Sequence, residues 1–195
     1  MKTVVPCASC ERRKKKQGYQ EPKAFSSPPM GATDIQVYDG SVRRFEDSDW
    51  NNDRHKLILF FPEIFTPVCY TEMGALKEWI DKFDKLNVDV FTATTDHISG
   101  VQDWYESEEL LKDPNYRVLS SYILPTRLGI MDNGRAKRAS VFITNQDDVI
   151  IQEHFKLVGR SLAELYRTYY AYTTGSYCAE GWQSELDGFL DADGS

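Results

Sequence analysis

Residues 57–72, Leu-Ile-Leu-Phe-Phe-Pro-Glu-Ile-Phe-Thr-Pro-Val-Cys-Tyr-Thr-Glu, decide the fold of this chain. The apolar run 57–61 predicts a buried strand, and Pro62 ends it because proline cannot continue a sheet ladder. From Cys69 onward apolar residues recur at helical spacing as far as Phe83, which predicts a helix over 69–86. Cys69 is therefore expected in the first turn of a helix that follows a strand.

That position favours sulfur chemistry. Unpaired backbone N–H groups and the helix dipole stabilise a negative charge at a helix N-terminus, so they favour the thiolate of Cys69. The thiolate is the nucleophilic form of cysteine. The alternative is a buried, inert cysteine, which is the commoner state of a free cysteine without a surrounding motif.

The rest of the chain alternates strand and helix patterns. Further segments predict a hairpin over 34–45 with its turn at Asp39-Gly40, a strand at 88–94, a helix at 98–111, a hairpin of 138–144 with 149–155, and a helix at 161–172. Ser161 is the expected N-cap of the last helix, with Glu164 at the capping-box position. This order predicts an α/β, thioredoxin-like fold in which helices flank a central mixed sheet.

Three regions are predicted. Residues 1–31 form a flexible N-terminal tail that carries Cys7 and Cys10, and residues 32–174 form the folded domain. Residues 175–195 form a C-terminal arm that carries Cys178.

Composition narrows the function classes. The net charge of −7 argues against nucleic acid or an anionic membrane as partner. No apolar run approaches the ~18 residues of a membrane span. The N-terminus lacks the layout of a signal peptide, and four cysteines in such a chain suit a reducing compartment, so we expect a cytoplasmic protein.

The segment around Cys69 resembles the active site of the peroxiredoxins. The family pattern Pro-x-x-x-Thr/Ser-x-x-Cys is matched by Pro62, Thr66 and Cys69, and the flanking Val-Cys-x-Thr-Glu is matched through Glu72. Two residues depart from the family: Pro67 stands where an aromatic or apolar residue is usual, and Tyr70 replaces a proline.

Two distant segments extend the resemblance. Arg138 precedes the predicted strand Ala-Ser-Val-Phe, as an arginine does in the family. Residues 177–182, Tyr-Cys-Ala-Glu-Gly-Trp, are similar to the Val-Cys-Pro-x-Gly-Trp element of typical two-cysteine peroxiredoxins. The resemblance runs from about residue 34 to residue 182, and residues 94–97 and 158–161 are also similar to the family, though more weakly.

The resemblance implies a role for each matched residue. Cys69 would be the peroxidatic nucleophile, which Thr66 and Arg138 activate and orient. Pro62 would shield the sulfur, and Glu72 would hold a hydrogen-bond network one turn into the helix. The family needs no metal or other cofactor, so none is expected here.

The resemblance also implies partners. Cys178 would be the resolving cysteine and would form a disulfide with Cys69 of the other subunit of a homodimer, which can assemble into a decamer ring. The substrate would be a hydroperoxide, and a thioredoxin-like or other dithiol protein would return the enzyme to its reduced state.

Some alternatives stay open. Cys7-x-x-Cys10 could be a redox pair or part of a tail without catalytic role. A zinc site within one chain is disfavoured because no second Cys-x-x-Cys exists and a structural zinc needs four ligands. A thioredoxin-like disulfide oxidoreductase is disfavoured because Thr66 occupies the place of its first cysteine. An oligomeric holdase chaperone or structural ring protein is a further alternative, which peroxide consumption would distinguish.

Overall fold

The apolar run before Pro62 forms the middle of a seven-stranded mixed sheet in the computed structural model, which describes residues 35–146 and 148–175. The strands of this sheet are β1 (Gln36–Tyr38), β2 (Val42–Arg44), β3 (His55–Phe60), β4 (Val88–Thr94), β5 (Arg117–Ser120), β8 (Ala139–Ile143) and β9 (Val149–Glu153), and a separate ribbon pairs β6 (Met131–Asp132) with β7 (Arg135–Ala136). The helices are α1 (Pro67–Leu76), α2 (Ile80–Lys85), α3 (Ile98–Ser107), α4 (Ile123–Arg127) and α5 (Leu162–Thr174), with a 3-10 turn at Asp47–Asp49.

The strand order is β2-β1-β5-β4-β3-β8-β9. The central pairs β3–β4 and β4–β5 are parallel, whereas the outer pairs are antiparallel. Because successive side chains of a strand point to opposite faces, β3 supplies both halves of the core. Leu57 and Leu59 join one cluster with residues of α1, α2, α3 and α5, and Ile58 and Phe60 join a second cluster with residues of α4. The predicted mixed sheet flanked by helices is confirmed.

The local predictions are confirmed in several places. The hairpin of β1 and β2 turns at Gly40, whose φ of 101° suits glycine. The hairpin of β8 and β9 has the expected antiparallel register. Ser161 caps α5, since its side chain accepts a hydrogen bond from the Glu164 backbone N–H, but the Glu164 carboxylate binds Arg167 instead of completing a capping box.

The prediction of one continuous helix over 69–86 is wrong. The structure has two helices, α1 and α2, separated by residues 77–79. Around this break the backbone N–H groups of Glu78 and Trp79 bond to carbonyls three residues earlier, which tightens the turn and redirects the chain. Side chains three and four residues apart keep facing the core through such a turn, so hydrophobic spacing does not reveal it.

Four elements between α3 and β8 were not predicted: β5, α4 and the two-residue strands β6 and β7. β5 has only four residues, too few for a clear alternating pattern, yet it pairs with both β4 and β1. α4 has only five residues. The helix predicted over 98–111 ends at Ser107, where Glu108 adopts an extended backbone.

The predicted N-terminal tail and most of the C-terminal arm lie outside the described residues, so the division into three regions stays a prediction. Within residues 35–146 and 148–175, no helix is long and apolar enough to cross a membrane.

A buried hydroxyl ties α1 to the segment before β5. Tyr116 donates to the backbone carbonyl of Met73 at 2.8 Å, and its oxygen lies 3.2 Å from the hydroxyl of Tyr105. We expect Tyr116→Phe to lower the free energy of unfolding by about 1–3 kcal/mol, because the Met73 carbonyl loses its side-chain donor and the Tyr105 hydroxyl loses its partner. Urea denaturation measures this, with Tyr122→Phe as control because Tyr122 is exposed. Equal stability of both variants would contradict the assigned contact.

Candidate active site

Cys69 lies in the first turn of α1, as predicted. Thr66 is the N-cap residue, and Pro67 occupies the first helical position, where a missing N–H costs nothing. The Cys69 side chain is completely buried, and the cysteine is a free thiol in the part of the chain that the structure describes. Tyr70, the second departure from the family, is partly buried against the core.

The sheet brings Arg138 to the sulfur. β8 runs antiparallel to β3, and their register pairs Phe60 with Ala139. Arg138 directly precedes Ala139, so it lies beside the start of the loop that leads from β3 to Cys69. Its Nη2 donates to Cys69 Sγ at 3.3 Å, and its Nε donates to the carbonyl of Lys156 at 3.2 Å. The side chain is almost fully buried, so this contact is shielded from water.

Glu72 joins Arg138 to a second arginine. One turn after Cys69, its Oε2 accepts from Nη1 of Arg138 in a buried ion pair. Its Oε1 accepts from the Arg160 backbone N–H at 2.5 Å and from Arg160 Nε at 2.9 Å. Arg160 also donates to the carbonyl of Ala139 at 2.9 Å. The Glu72 network therefore connects α1, β8 and the segment before α5.

The network leaves a net positive charge beside the sulfur. Arg138 and Arg160 supply two positive charges, Glu72 supplies one negative charge, and Arg138 contacts Cys69 Sγ directly. Burial lowers the pKa of Arg160 to about 10, an effect that Cys69 and Tyr169 partly oppose. Arg160 therefore stays positively charged at neutral pH.

Polar contacts also hold the loop 61–66. Asp96 Oδ2 accepts from the Ile64 backbone N–H at 2.9 Å, and Asp96 Oδ1 lies 3.4 Å from Arg135 Nη1. The Thr66 hydroxyl donates to the carbonyl of Glu63 at 3.0 Å. Phe65 has a positive φ of 55°, which is unfavourable for a side chain of this size.

A cavity of about 210 Å³ lies beside the network, between Pro62, Arg138 and His154. His154 is half-buried, and its Nε2 lies 2.9 Å from the hydroxyl of the buried Ser140. Burial, Arg160 and Arg138, in decreasing order of effect, lower the pKa of His154 to about 4. The imidazole is therefore neutral at physiological pH.

The structure brings five predicted site residues into one region: Pro62, Thr66, Cys69, Glu72 and Arg138. Pro62 is buried, and Thr66 is three residues before the cysteine, but its hydroxyl bonds to a backbone carbonyl and not to the sulfur. The predicted resolving residue Cys178, and the pair Cys7 and Cys10, lie outside the described residues.

Sequence reasoning gave no role to two residues of this region. Arg160 and Asp96 occur in segments that resemble the family only weakly, and neither follows from periodicity. His97 is the N-cap residue of α3, with its Nδ1 accepting from the Ser99 N–H. Among the residues described, no group of three or more His, Cys, Asp or Glu side chains could hold a metal ion.

Comparisons with known proteins agree with one another. A model of the AhpC/TSA family matches residues 30–152. The chain is 29% identical over 162 residues to the chloroplastic 2-Cys peroxiredoxin BAS1 of Spinacia oleracea, with 75% of this chain and 60% of the relative covered. It is 28% identical over 141 residues to the alkyl hydroperoxide reductase C of Escherichia coli (strain K12), with 67% and 75% covered. The chain thus spans about three fifths of the length of the spinach relative.

Solved structures show the same fold. The AhpC of Enterococcus faecalis superimposes with a TM-score of 0.66 at 24% identity, covering 74% of this chain and 92% of that chain. The reduced 2-Cys peroxiredoxin of Plasmodium vivax superimposes with a TM-score of 0.67 at 21% identity, covering 76% and 84%.

Glu72 should be essential to stability. We expect Glu72→Gln to lower the free energy of unfolding by about 3–5 kcal/mol, because two buried arginines lose their anion. Glu164→Gln, which breaks the exposed pair with Arg167, is the control and should cost about 1 kcal/mol or less. Chemical denaturation compares them, and a loss for Glu72→Gln as small as the control's would contradict the network.

His154 should make stability depend on pH. Its folded pKa of about 4 is below the ordinary 6.5, so the unfolded chain binds more protons between these values. Stability from this group is complete above pH 6.5 and is lost as the pH falls toward 4. His154→Gln should therefore flatten the decline measured by denaturation from pH 7 to 4.5, whereas His97→Gln, at an exposed histidine, should not. Parallel pH curves for His154→Gln and the wild type would oppose this.

Proposed function

The chain belongs to the AhpC/TSA family, and from that premise we propose that it is a thiol peroxidase that reduces hydrogen peroxide and organic hydroperoxides. The family match agrees with the peroxiredoxin resemblance of its sequence. The observation that carries the proposal is the 3.3 Å contact between Arg138 Nη2 and Cys69 Sγ at the N-terminus of α1.

In the first step, the Cys69 thiolate attacks the terminal oxygen of the hydroperoxide. An S–O bond forms, the O–O bond breaks, and the leaving alkoxide takes up a proton to become an alcohol, or water when the substrate is hydrogen peroxide. Arg138 donates toward the sulfur and the negative charge that develops on the peroxide, as preorganised donors do at an oxyanion. Glu72 and Arg160 hold that guanidinium in place.

Thr66 and Pro62 shape the approach to the sulfur. The Thr66 hydroxyl, three residues before Cys69, can accept or donate a hydrogen bond to a peroxide oxygen after rotation away from Glu63. Pro62 is buried and borders the cavity beside Arg138, so it limits access of water. No step needs a metal or an organic cofactor.

In the second step, Cys178 of the other subunit attacks the sulfenic sulfur. An S–S bond forms, and the oxygen leaves as water. A thioredoxin-like or other dithiol protein then reduces the disulfide by exchange and becomes oxidised. This cycle needs reducing equivalents, so we place the protein in the cytoplasm.

An exposed surface supports association of two subunits. β9 is an edge strand of the sheet, with unpaired backbone groups along one side. The loop after it exposes Phe155 (85%), Leu157 (83%) and Val158 (60%) to solvent. Because this loop directly precedes Arg160, a homodimer formed here brings the partner chain close to the network. Rings of such dimers, up to a decamer, are part of the proposal.

The alternative of a disulfide oxidoreductase receives no support from the site. That reaction needs a second cysteine one helical turn before Cys69, and the structure has Thr66 there as the N-cap residue. A holdase chaperone would consume no peroxide, so the rate of hydrogen peroxide loss with a dithiol reductant distinguishes it.

Cys69→Ser should abolish peroxide consumption, because a serine hydroxyl is hardly ionised at neutral pH. The measurement is the rate of hydrogen peroxide loss with a dithiol reductant. Circular dichroism and thermal unfolding should show that the variant is folded. Retention of most of the activity by a folded Cys69→Ser would sink the assignment.

Cys178→Ser should keep the first oxidation but lose turnover with a dithiol protein. The sulfenic acid on Cys69 should persist, since no thiol is positioned to condense with it. Mass spectrometry and a non-reducing gel after one equivalent of peroxide measure this. The double variant Cys7→Ser/Cys10→Ser is the matched control and should still form a covalent dimer. A dimer linked through Cys69 in Cys178→Ser would show that another cysteine resolves it.

A further inference from the structure

The cavity beside Arg138 is unusually basic for a chain with a net charge of −7. Its lining includes four cationic side chains and a single carboxylate. The cations are Arg135, Lys137, Arg138 and Lys156, and the carboxylate is Asp132. A concave site with an excess of one charge concentrates ligands of the opposite charge.

Most of these cations already have partners. Arg135 lies 3.1 Å from Glu63 and 3.4 Å from Asp96, and the Lys137 ammonium lies 3.0 Å from the Glu153 carboxylate. By contrast, no carboxylate within residues 35–146 and 148–175 forms an ion pair with Lys156. Among the described residues, Lys156 is therefore the cation of this cavity that no carboxylate pairs with.

Lys156 is also connected to the reacting sulfur. Its backbone carbonyl accepts from Nε of Arg138, whose Nη2 donates to Cys69 Sγ. One guanidinium thus spans from the sulfur to the Lys156 backbone. Lys156 and Arg138 also line the same cavity, so an anion bound by Lys156 shares that cavity with the residue that contacts the sulfur.

The remaining walls suit a small organic anion. Phe155 provides an apolar ring, and His154 is neutral at physiological pH, so it repels neither charge. The volume of about 210 Å³ is below the roughly 300–1,000 Å³ of sites for drug-sized ligands. This volume suits a short molecule.

We propose that this cavity is a subsite for the carboxylate of small anionic hydroperoxides, with Lys156 as its main recognition residue. The inference rests on the proposed peroxidase function and names a substrate class for it. The carboxylate binds Lys156 while the peroxide group points toward Cys69 and Arg138. Neutral hydroperoxides reach the same sulfur without this contact.

The test compares tert-butyl hydroperoxide with 3-hydroperoxy-3-methylbutanoate, in which one methyl group of the former carries a carboxylate. The readout is the ratio of kcat/KM for the anionic to that for the neutral substrate. The wild type should prefer the anion, and Lys156→Gln should lower the ratio roughly tenfold, as expected for a lost hydrogen bond between charged groups. Lys156→Arg should restore most of it. The methyl ester of the acid, which has its size but no charge, should show no preference.

Lys85→Gln is the matched control, since it removes one exposed lysine from the end of α2. Lys85 precedes β4 at the edge of the sheet where β3 begins, whereas the cavity lies at the edge where β3 ends. The six residues of β3 separate these two edges by about 20 Å. For Lys85→Gln, the ratio of kcat/KM for the anionic to the neutral substrate should equal that of the wild type. Equal ratios for Lys156→Gln and wild type, with hydrogen peroxide still consumed, would overturn the subsite alone. Consumption of no peroxide by the wild type would overturn the proposed function and the subsite together.

Discussion

The site depends on one buried carboxylate, Glu72, which lies between the guanidinium groups of Arg138 and Arg160. Two arginines without this anion could not remain buried, because removal of one partner leaves an uncompensated charge in a low-dielectric interior. The same carboxylate fixes three segments that are distant in sequence. Its single charge does not neutralise both arginines, so a net positive charge remains beside the Cys69 sulfur. The contacts that stabilise the fold therefore also set the electrostatic environment of the sulfur.

The sequence predicted the parts of this arrangement that have a local signal. A buried apolar run, a proline and a helical pattern placed Cys69 at a strand-to-helix junction, and the family resemblance added Arg138 and Glu72. Arg160 belongs to a loop, where neither periodicity nor capping marks a buried charge, so only the three-dimensional contacts show its role. The break between α1 and α2 was missed for a related reason: bonds to the third residue back preserve the hydrophobic spacing while they end the helix.

The register of the sheet brings these distant residues together in one site. β3 pairs in parallel with β4 and antiparallel with β8, so the end of β3, the end of β4 and the start of β8 meet at one edge. Cys69 follows β3, Asp96 follows β4, and Arg138 precedes β8. The short strand β5, which sequence patterns did not reveal, pairs with β1 on the side away from β4. Its last residue, Ser120, donates to the backbone carbonyl of Asp96 at 2.7 Å and so supports the segment after β4.

The positive φ of Phe65 has a consequence for how the buried sulfur becomes reachable. A left-handed backbone at a non-glycine residue stores roughly 1–3 kcal/mol, and it persists only while surrounding contacts enforce it. Here Asp96 and Arg135 hold the loop in that state. Cys69 is fully enclosed, so no protein thiol can approach it unless this loop and the first turn of α1 rearrange. Relaxation of Phe65 returns the stored energy when the loop opens, so opening costs that much less free energy than the loss of the surrounding contacts alone would require.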